Sequence, residues 1–516
     1  MTHLLAAADT INAPSVSYHA LAPILIVLGA ALVGVLAEAV VPRAERYTAQ
    51  MAITLGGLAA AMVSVVMLHG TSETTVAGAL AIDAGGLFIQ GSVLALAIMS
   101  VLLVGERSVD VGSPIVASAA VVVGSPRDRE LARTGQIQTE IFPLLLFAVA
   151  GMLIFPVSNN LLLMFVALEV LSLPLYLMAG LSRRRRLLSQ EAALKYFLLG
   201  AFASAFFLYG LALLYGYANS VDLPAILTAT RDSTKSDVLL YVGLGLLLVG
   251  LLFKAGIAPF HSWTPDVYQG SPTAVTAFMA SCTKVAAFGA IMRVLYVGFN
   301  TTAWNWRPVI WAVAIASMAV GAIFGLTQTD LKRILAYSSI AHAGFILVGL
   351  VALNKDGISS VLFYLLTYGF TTMAAFGLLT IVRDADGEAT HLSQWSGLAR
   401  KSPVVATVMT ILLMSMAGIP LTAGFIGKFY VFKAAYHVAA PLVVIALVLS
   451  AVAAFYYLRI VVLMFFAEPP ENGPTIAIPG WSTTVALTFG VVVTVALGIV
   501  PQPILDLAVK ASQLVR

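Results

Sequence analysis

Fourteen apolar windows of about 20 residues, each long enough to cross a bilayer, constrain this chain more than any motif in it. They fall near 21–41, 49–69, 85–105, 140–157, 160–181, 191–217, 238–260, 272–299, 308–327, 334–353, 357–382, 402–437, 440–467 and 482–505. Hydrocarbon offers no hydrogen-bond partners, so each window must satisfy its own backbone, which selects helices. The composition agrees: 60% hydrophobic and 10% charged residues can neither cover a soluble protein of this length nor keep a chain disordered. We expect an all-α polytopic membrane protein of about 14 transmembrane helices. The window 402–437 is too long for one straight helix. Gly418–Ile419–Pro420 predicts a break there, and Pro259 predicts one near the end of the seventh window.

Charge in the loops gives orientation. Alternate loops hold Arg43, Arg46, Arg107, Arg127, Arg129, Arg133, Arg183 to Arg186, Lys332, Arg333, Arg383, Arg400 and Lys401. The other loops and the termini hold Arg231, Lys235, Arg307, Lys355, Lys510 and Arg516. The asymmetry, fifteen to six, places the first set in the cytoplasm and both termini outside. The segment 106–139 reads as a long cytoplasmic loop whose apolar piece, 115–123, is too short to span. No removable signal peptide is evident, so the first span would direct insertion. The net charge of +4 is dispersed, which gives no support to nucleic-acid binding. One cysteine, Cys282, excludes a disulfide framework, a four-cysteine zinc site and any iron–sulfur cluster made by this chain alone. No glycine-rich nucleotide fingerprint is present, and no pair of histidines has metal-ligand spacing.

Seven basic residues lie inside the windows: Lys195, Lys254, Lys284, Arg293, Lys428, Lys433 and Arg459. Arg293, Lys433 and Arg459 are near helix ends and are expected to snorkel to the headgroups. Lys195 is about a turn inside its helix. Lys254, Lys284 and Lys428 are deeper; Lys284 is about 18 Å into its window at 1.5 Å per residue. A central lysine costs about 2.5–3.5 kcal/mol on insertion scales, which calls for a functional reason. Desolvation favours a neutral amine and a nearby carboxylate favours the ammonium, so a lysine held between these influences can exchange a proton near neutral pH. Glu169 is the carboxylate in position to pair with such a lysine. His342, about mid-depth in its window, suits a relay between lysines.

A weak internal repeat accompanies these charges. Ala255–Gly256–Ile257–Ala258–Pro259 recurs as Ala417–Gly418–Ile419–Pro420, and Tyr196–Phe197–Leu198–Leu199–Gly200 is echoed by Tyr364–Leu365–Leu366–Thr367–Tyr368–Gly369. The offset is five spans. An odd number reverses direction, so spans 4–8 and 9–13 would form two inverted five-helix repeats, each with a broken helix. The expected domains are 1–139, three spans and the long loop; 140–299 and 300–467, the repeats; and 468–516, a C-terminal span.

The stretch from Lys254 through Pro259–Phe260–His261–Ser262–Trp263–Thr264–Pro265–Asp266 to Thr273 resembles the signature of the antiporter-like subunits of respiratory complex I. Asp330–Leu331–Lys332–Arg333 through His342 resembles the family's second signature. The family also includes subunits of Mrp-type cation/proton antiporters. The resemblance implies a proton-translocating subunit of an NADH-quinone oxidoreductase in a bacterial plasma membrane. FMN, iron–sulfur clusters and quinone would belong to partner subunits, with an M-type antiporter-like subunit and small membrane subunits as neighbours. It implies that Glu169 and Lys254 are a coupled pair and Lys195 an accessory lysine. Lys284 and His342 would be the central relay and Lys428 the terminal lysine. M-type subunits carry a glutamate where this chain has Lys428, and L-type subunits continue into a long lateral helix; both departures point to the N type. The alternative implied by the same residues is a Mrp-type antiporter subunit.

Overall fold

The computed structural model describes residues 15–109, 115, 121–122, 125–127, 129–130, 138–231, 236–384, 387–471 and 473–514. Most of the apolar piece 115–123, together with Arg133, Lys235 and Arg516, lies outside the described residues.

The architecture is helical, as the windows require. The helices are α1 (Tyr18–Val40), α2 (Arg43–Met67), α3 (Ala84–Val104), α4 (Ile141–Ile154), α5 (Leu161–Ala179), α6 (Arg186–Ala218), α7 (Val238–Ala255), α8 (Trp263–Gly270), α9 (Thr273–Gly298), α10 (Ala303–Thr327), α11 (Leu331–Val351), α12 (Lys355–Ile381), α13 (Pro403–Ala417), α14 (Ala423–Phe466), α15 (Trp481–Ile499) and α16 (Gln502–Lys510). Among the described residues twelve helices are long and apolar enough to cross a membrane, and Ile141–Val157 is a shorter apolar one. The 44-residue α14 is too long for one crossing and is kinked at Ala439, whose backbone leaves helical geometry two residues before Pro441. Its first half continues the crossing begun by α13, and its second half is a crossing of its own. The sum is fourteen spans.

Both expected breaks are present and share one chemistry. Helix α7 stops at Gly256 (φ 69°) and α13 at Gly418 (φ 85°), left-handed positions that suit a residue without a Cβ. The Ile257 N–H returns to the Leu252 carbonyl, and the Ile419 N–H to the Met414 carbonyl, each at 3.0 Å. The chain becomes helical again at Trp263 in one case and at Ala423 in the other.

Short strand pairs test the alternation of loops. A hairpin joins Glu73–Thr75 to Leu80–Ile82. Val382–Asp384 pairs with Gly387–Glu388 and with Thr475–Ile476. Isolated bridges join Leu80 to Ser158, Ile115 to Ser182, Asn160 to Asp222 and Asp330 to His391. Each of these contacts links segments that the fourteen-span count assigns to the same face, so the parity of the count is self-consistent.

The interior is formed by α9, α11 and α12, whose apolar windows are 100%, 94% and 94% buried. Lys433 and Arg459, expected to snorkel, are exposed on the surface of the bundle. The expectation fails for Arg293, which is 1% exposed. Its guanidinium grips the equally buried Asp83 carboxylate through two bonds of 2.7 and 2.9 Å, and its Nε donates to the Pro156 carbonyl. Asp83 is the N-cap of α3 and also accepts the Gly86 N–H. A fork-shaped cation that finds a carboxylate and a carbonyl in the interior has no reason to reach for the headgroups.

Candidate functional site

The buried charges lie on the broken helices and the central ones. Lys254 occupies the last turn of α7, just before the break, and is 3% exposed. Its Nζ donates to Ser172 Oγ at 2.9 Å and to Tyr196 Oη at 3.2 Å, with the rings of Tyr176 and Tyr196 at 5.7 and 5.3 Å. Trp263, from the far side of the break, stacks on Tyr196 with ring centroids 4.5 Å apart and anchors its indole N–H on the Phe253 carbonyl. The break therefore builds the aromatic wall beside Lys254.

Glu169 lies on α5, partly buried, and accepts a hydrogen bond from Ser204 of α6. It does not form the direct ion pair with a lysine that the sequence suggested; among the described residues no lysine amine lies within salt-bridge distance of it. Ser172, less than one turn further along α5, is the residue that reaches Lys254. Lys195 is separate. It pairs with Glu191 at 2.6 Å and Asp266 at 2.8 Å, with 42% of its side chain exposed, and Asp266 also holds Arg333 at 2.8 Å.

Lys284, His342 and Lys428 are brought together by three helices. Lys284 is 2% exposed and follows a π-helical segment, Met279–Thr283, a rare geometry often found at functional positions. Its Nζ donates to the Ser339 carbonyl at 2.7 Å and faces the Tyr368 ring at 5.6 Å. The same ring lies 5.2 Å from the His342 ring. His342 has Tyr364 Oη 2.8 Å from Nδ1 and Tyr457 Oη 3.3 Å from Nε2. Phe345 then links His342, 5.9 Å between ring centroids, to Lys428, whose Nζ is 4.8 Å from the same ring. Lys428 donates to the carbonyls of Met416 and Ala417 and to Ser450 Oγ at 3.1, 2.9 and 2.8 Å. Those carbonyls are left open by the end of α13, where the helix dipole favours a cation.

An ammonium has three N–H groups. Lys428 uses three, Lys254 two and Lys284 one. Beside Lys284, the hydroxyls of Ser339, Tyr368 and Thr372 are buried close to one another. A cleft of about 430 Å³ opens from Lys428 and Ser450 past Phe429 and Phe432 to Lys433 and His437. Among the described residues no group of His, Cys, Asp and Glu has the arrangement of a metal site.

The sequence missed several partners. Ser172, Ser204, Ser450 and Tyr457 are ordinary helix residues whose roles depend on contacts across the bundle. Tyr196 and Tyr364 carried a signal, since both sit in the repeated segment.

Residues 158–454 match the family described as NADH:quinone oxidoreductase/Mrp antiporter, TM. The chain belongs to that family. Within the family, it is 59% identical over 506 residues to NADH-quinone oxidoreductase subunit N of Saccharopolyspora erythraea, covering 96% of this chain and 98% of that one. It is 51% identical over 528 residues to the subunit N of Mycobacterium tuberculosis, covering 98% and 99%. Among solved structures, a chain of respiratory complex I from Thermus thermophilus with bound aureothin is similar at 36% identity and TM-score 0.76, covering 94% and 98%. A chain of the Mrp complex from Dietzia shares the fold with TM-score 0.81 at 23% identity, covering 96% and 97%. This antiporter-like chain is thus a multi-pass membrane protein of the fold used by both complexes.

Proposed function

We propose that the chain is the N-type, proton-translocating subunit of an NADH-quinone oxidoreductase of a bacterial plasma membrane. Electron transfer from NADH to quinone takes place in partner subunits that hold FMN and iron–sulfur clusters. This chain couples it to proton movement through Glu169, Lys254, Lys284, His342 and Lys428, with Lys195 an accessory group on the Asp266–Arg333 side. Its neighbours are an M-type antiporter-like subunit and small membrane subunits. Both termini lie outside, and spans 4–8 and 9–13, within 140–299 and 300–467, act as inverted repeats flanked by 1–139 and 468–516.

The observation that carries the reading is identity of 51–59% along nearly the whole chain to subunits N. The geometry supports it: the repeated breaks each place a lysine beside a helix end, and the central ring contacts join Lys284, His342 and Lys428. The second reading, a Mrp-type antiporter subunit, is favoured by the TM-score of 0.81 to the Dietzia chain. Purification of the native complex separates the two. Flavin, iron–sulfur signals and NADH-dependent quinone reduction in the same particle are expected; a particle holding none of these would favour the antiporter.

A further inference from the structure

We infer that the phenolic hydroxyls of Tyr196 and Tyr364 are matched positioning groups, one in each repeat, that orient the proton-exchanging nitrogens of Lys254 and His342. The inference rests on the proposed proton pathway and extends it to residues outside the buried charges.

The two tyrosines head the repeated segments Tyr196–Phe197–Leu198–Leu199–Gly200 and Tyr364–Leu365–Leu366–Thr367–Tyr368–Gly369, five spans apart. They are 0% and 1% exposed. Tyr196 Oη is 3.2 Å from Lys254 Nζ, and Tyr364 Oη is 2.8 Å from His342 Nδ1. Each ring is clamped so that its hydroxyl has little freedom. Tyr196 lies flat on Trp263 and edge-on to Tyr176 at 4.7 Å. A Cβ at Gly427 would come within 2.9 Å of the Tyr364 ring, so that glycine gives α14 its close approach. A buried tyrosine held by packing alone needs no such coincidence in both halves.

At His342 the arrangement is two-sided. Tyr457 Oη reaches Nε2 and also meets Ser338 Oγ and Tyr456 Oη. With Tyr364 on Nδ1 and Tyr457 on Nε2, a proton can arrive at one ring nitrogen while another leaves from the opposite nitrogen, and the imidazole returns to a neutral tautomer. At Lys254 the hydroxyls of Tyr196 and Ser172 accept from the ammonium and fix the direction from which its proton leaves.

The test is tyrosine-to-phenylalanine substitution in the full complex, which deletes one oxygen and keeps the ring. Inverted membrane vesicles carrying Tyr196→Phe, Tyr364→Phe, Lys254→Ala, His342→Ala and a control, Tyr296→Phe, would be compared. Tyr296 is also buried, but its hydroxyl bonds the Leu350 carbonyl and touches no pathway base. We expect Tyr196→Phe and Tyr364→Phe to assemble and to pump protons about fivefold more slowly, the effect of losing one hydrogen bond. For Tyr196→Phe the alkaline limb of the pH–activity profile should move to lower pH by roughly one unit, because an acceptor of the ammonium is gone. Tyr296→Phe should match the unmodified complex in both readouts. Unchanged pumping and pH profile in both pathway variants would overturn the inference. Failure of both to assemble, with Tyr296→Phe assembled, would also overturn it by making the hydroxyls structural. If Lys254→Ala and His342→Ala pump fully as well, the pathway reading itself falls; if they lose pumping while the phenylalanine variants keep it, only the positioning role falls.

Discussion

Individual side chains separate groups that work from groups that hold. Lys254, Lys284 and Lys428 stood out in the sequence because an ammonium deep in an apolar window is costly, and each proves to be buried. Arg293 was misjudged because its partner, Asp83, lies 210 residues away and no local pattern announces it. Removing one half of such a pair leaves an uncompensated buried charge, so Arg293→Ala should cost about 3–5 kcal/mol. It should lower the amount of assembled complex, seen on native gels, whereas Lys254→Ala should leave that amount unchanged. Equal assembly of the two variants would remove the distinction between holding and working charges. Glu169→Asp should impair pumping less than Glu169→Ala, since it keeps the charge with a shorter reach. Glu106, just beyond α3, gives a pH-dependent contact. Burial opposes its charged form, but the N–H groups of Ser108, Arg107 and Gly480 outweigh burial and hold its carboxyl below the usual range. A lowered folded value stabilises above the ordinary carboxylate range and is lost as pH falls through the folded value. The α3–α15 junction should therefore loosen in acid below about pH 4, and Glu106→Gln should lower the thermal midpoint at pH 7 with a smaller effect at low pH. An equal drop at both pH values would contradict the charge-based contact.

The elements were legible where punctuation is strong. Glycine followed by Ile and a nearby Pro marked both helix breaks, and both are there at Gly256 and Gly418. The π-helical segments Met279–Thr283 and Val294–Gly298 were not, because nothing in their composition differs from an ordinary apolar helix. The short strands in the loops were equally hidden, since a few residues pair only after the spans bring them side by side. The two break glycines make different demands. A Cβ at Gly418 would sit 2.9 Å from Lys428 Cδ, whereas one at Gly256 would meet Thr264 Oγ1 at 2.9 Å. Both substitutions carry the left-handed backbone penalty of about 1–2 kcal/mol. Gly418→Ala should in addition push Lys428 off the Met416 and Ala417 carbonyls and depress pumping beyond its effect on assembly. Identical ratios of pumping to assembly in the two alanine variants would contradict a role for the α13 end in seating Lys428.

For the whole molecule, the loop charges and span count predict a direction as well as a fold. Cys282 is buried, so added cysteines can be read against a quiet background. A cysteine replacing Arg184 should react from the cytoplasmic side, and one replacing Arg231 from outside; reversed labelling would overturn the orientation. The shared residues behind the proposed five-span repeat were readable, while the contacts between Lys284, His342 and Lys428 were not, because Tyr368 and Phe345 become links only once α9, α11, α12 and α14 pack together. The central claim is that lysines inside this bundle carry protons rather than fixed charge. Proton pumping per NADH by an assembled Lys254→Arg complex tests it most directly. Arginine keeps a positive charge and hydrogen-bond donors but holds its proton at any working pH. A carrier role predicts a complex that assembles and still oxidises NADH, but pumps poorly; full pumping by that complex would show that Lys254 serves as a static charge.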